Sequence, residues 1–415
     1  MYCLIHAFKK KMDESVNAHL KQFVCDSNTV LDLKLIREAK DIEDDEISFE
    51  PEMSHQVFGD SETIFGYRDL KVKLYYSAGC LETYLGMDYS EKFRDSNNED
   101  IKPDNVLQMM SLVLSSQVHY NLDSFVKSLD KDDTFVPCGK LIHAFSIESD
   151  KNMRHFEVYK ATMSDKGFKE YQTRLQTFLL WYIDAANFVD ADDDQWDYFN
   201  MFERYLSPSG SVRYASVGFS TVYQYYAYPN HTRPRIAQVL TLPPFQNNGL
   251  GAELLKAIYV HYIGRNEVKD ITVEGPSSNF QRVRDFVDAQ NCSTLPSFQK
   301  DCLLQGFNKM MATEARDKYK INKRQARRVY EILRLRETNI SDENEYRNYR
   351  LNVKRRLNIP LKREQHGLKK DHSVKLPDAN RILSEPEYCM EILEKEFRLL
   401  EEEYDRVIKR MENSN

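Results

Sequence analysis

The chain has 415 residues, 41% of them hydrophobic, and a net charge of −7, which is typical of a globular protein of two or three domains rather than a disordered chain. Its longest apolar runs, such as FLLWYI at 178–183, are too short to span a bilayer, and its N-terminus lacks the layout of a signal peptide. The seven cysteines form no CxxC pair, so we expect a soluble intracellular protein without a disulfide framework or a metal site.

The charge is divided unevenly along the chain. Residues 316–370 hold 18 basic against 7 acidic side chains, residues 371–415 hold 7 against 12, and the first 315 residues carry −13. An acidic body suits a basic ligand and a basic segment suits an acidic one, but neither charge identifies a partner.

The N-terminal third is predicted to mix helices and strands. A helical pattern at 14–24 leads into a segment at 28–36 that is apolar at alternate positions, as in a strand. An acidic loop follows at 41–52, and the aromatic and β-branched residues of 64–79 predict a pair of strands. The polar stretch 90–105 is predicted to lie on the surface.

The central region is predicted to form a sheet with helices. Five segments have the alternation and residue types of strands, namely 141–149, 155–163, 196–205, 212–228 and 235–242. Apolar residues at helical spacing predict a helix at 167–190, and a second helix is expected after Gly249. This order of elements indicates a mixed α/β domain.

The chain beyond residue 300 is predicted to be helical. We expect the basic helix 318–339 to pack on the α/β domain that precedes it with its arginines outward, through the apolar side chains of Ile321, Val329, Ile332 and Leu335. The basic run 348–370 looks unstructured towards its end. The terminal segment is predicted to be an amphipathic helix with a capping box formed by Ser384 and Glu387. Its apolar side chains recur at spacings of three and four: Met390, Leu393, Phe397, Leu400, Tyr404, Val407 and Met411. Whether this helix pairs with another chain or folds back is left open.

A glycine-rich turn joins the strand at 235–242 to the following helix. It lacks the third glycine of the dinucleotide fingerprint and the Gly-Lys-Ser/Thr of a P-loop. What remains, Gln246-x-x-Gly249-x-Gly251, resembles the Q/R-x-x-G-x-G/A pattern of the GNAT superfamily of acetyltransferases. Glycines leave no Cβ between chain and ligand, so backbone amides at a helix N-terminus can converge on the pyrophosphate of coenzyme A.

Several other blocks occur in the order seen in one family. DITVEGPSSNFQRVRDFVD at 270–288, TVYQYYAYPNHTRPR at 221–235 and INKRQARRVYEILRL at 321–335 closely resemble the catalytic subunits of type B histone acetyltransferases. RLQTFLLWYIDAANFVD at 174–190 and FGDSETIFGY at 58–67 extend the resemblance over roughly residues 25 to 335. It implies an α/β fold with a GNAT acetyltransferase core, a mixed mostly antiparallel sheet, an N-terminal α+β domain and a C-terminal helical region.

The resemblance also implies the site residues. Glu274 matches the catalytic glutamate, and Asp184 matches a position where relatives carry Glu or a similar acid. The predicted acetyl-CoA-binding residues are Val239, Leu240, Thr241, Gln246, Asn247, Asn248, Gly249, Leu250, Gly251 and Ala252. The predicted contacts to the substrate are Asp60, Ser61, Glu62, Tyr223, Gln224 and Tyr225.

Each carboxylate has an ordinary structural alternative. Glu274 follows a predicted strand, where exposed glutamates are common, and Asp184 lies on a predicted apolar helix, where a carboxylate is costly unless it finds a partner. Asp60 and Glu62 could belong to a solvated turn, and the tyrosines to a half-buried strand. Gly275 stands where relatives typically carry Asp, which puts a shared acid/base role in doubt and could loosen the strand end.

The family implies the N-terminal tail of newly made histone H4 as substrate, acetyl-CoA as cosubstrate, no metal, and a WD-repeat histone-binding chaperone as partner. We expect no direct nucleic-acid contact and no membrane contact, and residence in nucleus and cytoplasm. The expected domains are 1–133, contacting the histone tail; 134–275, catalytic; 276–338, helical; and 339–415, a basic segment with the terminal helix. Two alternatives stay open: a GNAT enzyme for another amine, and a non-catalytic histone-binding assembly protein.

Overall fold

The computed structural model describes residues 20–94, 101–114, 117–149, 152–370 and 386–413. The chain divides into two compact units, and we describe each by itself. The first unit runs to Thr221 and includes Gln238–Leu250, whereas the second comprises Val222–Ala237 and the chain from Gly251 onward. The domain boundaries expected from the sequence stay a prediction.

The N-terminal part of the first unit contains eight strands among its described residues. They are β1 (Val24–Asp26), β2 (Leu31–Ile36), β3 (Thr63–Phe65), β4 (Tyr67–Arg68), β5 (Lys71–Ser77), β6 (Thr83–Asp88), β7 (Glu91–Lys92) and β8 (Val118–His119). Strand β1 pairs with β3, β4 pairs with β7, and the other four form a sheet in the order β2-β5-β6-β8. Strands are thus present at 64–79 as predicted, but β3, β4 and β5 lie in three different sheets and do not pair with one another.

Four short helices accompany these strands: α1 (Ser27–Val30), α2 (His55–Phe58), α3 (Val106–Val113) and α4 (Leu122–Ser128). The predicted strand is present as β2, and every one of its residues is buried. The buried Lys34 ammonium of β2 donates to the carbonyls of Ile42 and Asp44, both at 2.9 Å. These bonds tether the acidic segment, which forms 3-10 turns at Ala39–Glu43 and Asp45–Ile47 rather than an irregular loop.

Six strands form the large sheet: β9 (Lys140–Ser149), β10 (Asn152–Ala161), β11 (Trp196–Leu206), β12 (Val212–Ala227), β13 (His231–Thr241) and β14 (Thr272–Val273). Their order is β14-β13-β12-β11-β10-β9. Strand β10 pairs antiparallel with both β9 and β11, whereas β13 and β14 are parallel. The predicted α/β class with a mixed sheet is confirmed, and all five predicted strands are present.

The helix predicted at 167–190 is shorter and interrupted. Helix α5 (Phe168–Leu175) and helix α6 (Leu179–Tyr182) are joined by a 3-10 turn, and regular structure ends at Tyr182. Ile183 is extended and Ala185 adopts a φ of 52°, which the helical path does not allow. Asp184 therefore lies in a turn instead of on a helical face.

Among the described residues, seven helices follow β13: α7 (Leu250–Ile263), α8 (Ser278–Ser293), α9 (Lys300–Gln305), α10 (Lys309–Tyr319), α11 (Lys323–Glu337), α12 (Glu343–Lys370) and α13 (Pro386–Asn413). Helix α12 continues to Lys370, so the prediction of an unstructured end to the basic run is wrong. Ser384 of the predicted capping box lies outside the described residues. None of the described helices combines the length and apolarity that a membrane span requires.

The terminal helix α13 folds back onto the other helices of the second unit. It packs against α8, α11 and α12, and Phe397, Tyr404, Val407 and Met411 are buried whereas Met390 is 62% exposed. The question left open by the amphipathic pattern is thereby resolved in favour of intramolecular packing.

Arginines of α11 face inward as well as outward, contrary to the expectation. Arg334 is buried and donates to the Leu303 carbonyl at 2.7 Å. Arg328 joins the buried Asp285 of α8 at 2.6 Å to Glu403 of α13 at 2.9 Å. The basic segment and the acidic terminal helix are thus partners within the chain.

Candidate active site

The glycine-rich turn contains two residues in the left-handed backbone region. Asn247 and Gly249 both have positive φ, at 63° and 77°, which asparagine and glycine tolerate better than other residues. The buried Leu250 begins α7 directly after the turn. The first N–H groups of an α-helix have no partner within the helix, and alternating backbone conformations turn neighbouring N–H groups towards one point.

Side chains of the turn hold it in this shape. The Gln246 Nε2 atom donates to the Thr241 carbonyl at 3.0 Å, and Asn248 Nδ2 donates to the carbonyls of Phe245 and Gln246 at 3.3 and 3.0 Å. The two amide side chains therefore bond to the turn's own backbone. Asn247 and Asn248 are exposed, whereas Ala252 in the first turn of α7 is buried.

Strand β13 leads into this turn. It pairs with β14 through Arg235 with Thr272 and Ile236 with Val273, and it continues to Thr241. The Leu240 side chain is buried, whereas Val239 and Thr241 are partly exposed.

Glu274 directly follows β14 and its side chain is exposed. Its backbone N–H donates to the Ile236 carbonyl at 2.9 Å, so the hydrogen bonding of the strand pair extends to this residue. Gly275 comes next with a φ of 40°, and a Cβ placed on it meets no atom within 4 Å. Glycine at 275 thus relieves backbone strain in an open space.

A second acidic group lies in the first unit around His55. Its Nε2 atom is 3.1 Å from the Asp184 carboxylate, and its Nδ1 atom is 3.5 Å from that of Glu62. The Asp184 side chain is 76% exposed. The histidine brings together two carboxylates that lie far apart in sequence.

Glu62 is engaged within the protein. Its carboxylate accepts from the N–H groups of Ser54 at 2.7 Å and His55 at 3.0 Å, and from Asn28 Nδ2 at 2.9 Å. The Ser54 N–H is the largest cause holding the pKa of Glu62 below its usual value. The backbone of Glu62 has a φ of 46°, which is unusual for a glutamate. The residues before it, Asp60 and Ser61, form an exposed turn.

The predicted tyrosines lie on β12 in the second unit. The rings of Tyr223 and Tyr225 are 4.7 Å apart, and the Arg235 guanidinium lies 5.7 Å from the centroid of Tyr225. The Gln224 amide between them donates to the Tyr262 hydroxyl at 2.7 Å. The Tyr225 side chain remains 42% exposed.

Sequence reasoning missed three residues of these groups. His55, Arg235 and Tyr262 contact predicted site residues, but no local motif marks them. The contacts of His55 with Asp184, of Arg235 with Tyr225 and of Tyr262 with Gln224 each join positions at least ten residues apart, so only the fold could reveal them.

The donor set fits a pyrophosphate-bearing cosubstrate. A helix of 14 residues starts at Leu250, directly after Asn247 and Gly249 with their positive φ. The first N–H groups of such a helix lack partners within it and its dipole favours negative charge, which suits a pyrophosphate. Among the described residues, no cluster of three or more His, Cys, Asp or Glu side chains is arranged to hold a metal ion.

Comparison with known families agrees with these features. Residues 23–184 match the family model described as Histone acetyl transferase HAT1 N-terminus. Residues 284–335 match the model of the Histone acetyltransferase type B catalytic subunit, C-terminal.

Curated relatives match along almost the whole chain. The histone acetyltransferase type B catalytic subunits of Rattus norvegicus and Homo sapiens are each 43% identical to it, over 411 and 409 residues that make up 97% of both chains in either case. That of Cryptococcus neoformans var. neoformans is 30% identical over 88% of this chain and 98% of its own. A solved aminoglycoside acetyltransferase from a soil metagenomic sample is 16% identical over 35% of this chain and 90% of its own, with a TM-score of 0.23, too low for any conclusion. The chain therefore belongs to the family of histone acetyltransferase type B catalytic subunits, and it is an acyltransferase.

Proposed function

We propose that the chain transfers acetyl directly from acetyl-CoA to a lysine in the N-terminal tail of newly synthesised histone H4, with Glu274 as general base. The observation that carries the proposal is the exposed carboxylate of Glu274 at the end of β14, on a backbone held to β13 by the Ile236 carbonyl. A base on a fixed backbone with a free side chain can reach the proton of an incoming amine.

The chemistry requires such a base because lysine is protonated in water. Its pKa lies about 3.4 units above pH 7, so the reactive neutral amine costs about 4.6 kcal/mol. Glu274 would take the proton from the ammonium, directly or through one water, and so supply the neutral nucleophile. Asp184 would assist by attracting the cationic acceptor.

The residues that would hold acetyl-CoA are those of the turn and of β13. Backbone N–H groups of Asn248, Gly249 and Gly251 would bind the pyrophosphate, and the backbone of Val239 to Thr241 would bind the pantetheine arm. When bound, the cosubstrate supplies the activated acetyl thioester.

The charges and rings support a basic peptide as acceptor. In the first unit, Asp60 and Asp184 are exposed carboxylates, which suit Lys and Arg. In the second unit, Tyr223 with Tyr225 offers adjoining ring faces, which also suit cationic side chains. Glu62 would act mainly by shaping this region, because its carboxylate already accepts three hydrogen bonds.

The test is transfer of labelled acetyl to an H4 tail peptide, with a polyamine and a generic α-amine peptide as competing acceptors. Turnover on the tail alone supports the proposal, and preference for either other amine overturns the substrate assignment. Cofactor binding without turnover on any acceptor would favour an assembly protein that has kept the fold.

Glu274→Gln should lower kcat by about 100-fold or more while the affinity for acetyl-CoA is kept. Glu267→Gln is the matched control, because it makes the same change at an exposed glutamate seven residues earlier in the sequence. Equal rates for the two variants would remove Glu274 from the base role.

Asp60→Lys tests the acceptor contact without disturbing the bonds of Glu62. The KM for the tail peptide should rise, and more steeply at low salt, because the reversed charge repels a cationic tail. A KM that does not change would exclude Asp60 from peptide binding.

The proposal includes a WD-repeat histone-binding chaperone as partner and residence in both nucleus and cytoplasm. The relatives' names call them subunits, which supports work within an assembly. Purification of the tagged full chain from nuclear and cytoplasmic extracts, followed by identification of bound proteins, would test both statements. Recovery without such a chaperone would contradict the first.

A further inference from the structure

Arg284, on the second turn of α8, is a buried cation for which the proposed reaction has no role. It is 4% exposed, and a buried guanidinium requires several partners to offset the loss of water. Its partners lie on three different elements of the second unit.

Arg284 contacts the segment that leads into β14 and also helix α7, the two elements that the proposed reaction uses. Its Nη2 atom donates to the Ile271 carbonyl at 3.2 Å, one residue before β14. Its Nε atom donates to the Tyr259 hydroxyl of α7 at 3.3 Å, and α7 is the helix that begins at the glycine-rich turn. On α8 itself, Asp288 lies 3.4 Å from the same Nε atom.

The backbone leading to Glu274 is held at both ends of a short segment. The Ile271 N–H donates to the Lys320 carbonyl at 2.7 Å, and the Glu274 N–H donates to the Ile236 carbonyl at 2.9 Å. The Ile271 carbonyl accepts from Arg284 and from Asn322 Nδ2. Only two residues separate these points, so a displacement at Ile271 would be transmitted to the Glu274 backbone.

Asp288 gives this group its charge balance. It is fully buried, and burial raises the pKa of Asp288 to about 6 although Arg284 counteracts part of that rise. Its carboxylate keeps the guanidinium compensated while the guanidinium donates to Ile271 and Tyr259.

We propose that Arg284 is a positioning residue for acetyl transfer, which holds the segment bearing Glu274 in register with the cofactor helix α7. The inference rests on the proposed role of Glu274. Arg284 touches no reacting atom and acts through its hydrogen bonds to the Ile271 carbonyl and the Tyr259 hydroxyl.

The experiment compares Arg284→Met with Arg328→Met in the full chain. Both variants remove an arginine paired with a buried aspartate of α8, but Arg328 bonds to Asp285 and Glu403 rather than to β14. We expect Arg284→Met to lower kcat about 10- to 100-fold with a few-fold change in the KM for acetyl-CoA. The Arg328 variant should lose thermal stability with near-normal kcat.

Coupling to Glu274 separates a positioning role from a merely structural one. In a Glu274→Gln background, Arg284→Met should lower the remaining rate by less than about 2-fold, because the base that it positions is absent. Equal losses with and without Glu274 overturn the inference, as does a kcat loss no larger than that of the control.

Failure of the proposed function has a different signature. If Glu274→Gln alone keeps the normal rate, the base assignment falls and this inference falls with it. If Arg284→Met does not fold, two other variants replace it. The double variant Arg284→Met with Asp288→Asn leaves no buried charge at the site, and Arg284→Lys keeps the positive charge but loses the planar guanidinium that bonds to two partners at once. Both of these variants should then lower kcat when Glu274 is present and leave the remaining rate nearly unchanged in the Glu274→Gln background. An equal fold-loss of kcat in the two backgrounds refutes the positioning role.

Discussion

Removal of a single buried hydroxyl tests how the terminal helix is attached. The Tyr404 hydroxyl of α13 donates to the Glu331 carboxylate of α11 at 3.0 Å, and both side chains are fully buried. Burial, and then the charge of Glu331, raises the pKa of Tyr404 far above its usual value, so the hydroxyl stays protonated and donates. Tyr404→Phe removes this bond and keeps the ring.

The size of the effect follows from the other bonds of Glu331. Arg356 donates to it at 2.7 and 2.8 Å and Arg327 at 3.0 Å, so the carboxylate remains compensated without the tyrosine. The loss is therefore that of one hydrogen bond to a charged group, about 1.5–3 kcal/mol, and less than the 3–5 kcal/mol for a buried charge left alone. For a unit of this size we expect a fall in Tm of roughly 4–8 °C.

Thermal and urea unfolding followed by circular dichroism would measure this change. Tyr228→Phe is the control, because it deletes the same hydroxyl from a side chain that is 80% exposed and should change stability by less than about 0.5 kcal/mol. If the two variants unfold alike, the Tyr404 to Glu331 bond does not contribute as argued and the attachment of α13 depends on apolar contacts.

Three changes elsewhere have defined outcomes. Glu62→Ala leaves the Ser54 N–H without its acceptor and should cost about 1–2 kcal/mol of unfolding free energy; an unaltered urea midpoint would contradict this. Gly275→Ala should cost about 1 kcal/mol, because a Cβ disfavours positive φ, and a stabilised variant would refute that reading. With the pKa of Asp288 raised to about 6, the native state retains a proton that the unfolded chain loses from about pH 4, so wild-type stability falls as pH rises through this window. Asp288→Asn has no such proton, and its stability relative to wild type should grow from about pH 4 to 6 and then level; a difference that is constant with pH would contradict the burial argument.

Much of the large sheet and the glycine-rich turn after it was predictable from local pattern. Alternating residues marked β9 to β13, and Gln246-x-x-Gly249-x-Gly251 marked the turn into α7, because strand periodicity and left-handed turn residues are local properties. The interruption after Tyr182 was not predictable, since the apolar spacing continued past the point at which Ala185 turns the chain away from the helical path.

The candidate site divides in the same way. Glu274 could be placed at a strand end from neighbouring residues alone. The meeting of Glu62 and Asp184 at His55, and of Tyr225 with Arg235, depends on contacts between distant segments that no short pattern encodes.

The amino-acid sequence by itself determined the secondary-structure periods, the glycine turn, the family and the segregation of charge, because these depend on residue type and near-neighbour spacing. Only the tertiary structure decided that the basic and acidic C-terminal segments are each other's partners, as in the pairing of Arg328 with Glu403. It also decided that Arg284 bonds both to the Ile271 carbonyl, just before β14, and to the Tyr259 hydroxyl of α7. A charged side chain acquires its role from what surrounds it when water is removed, and that environment exists only in the packed chain.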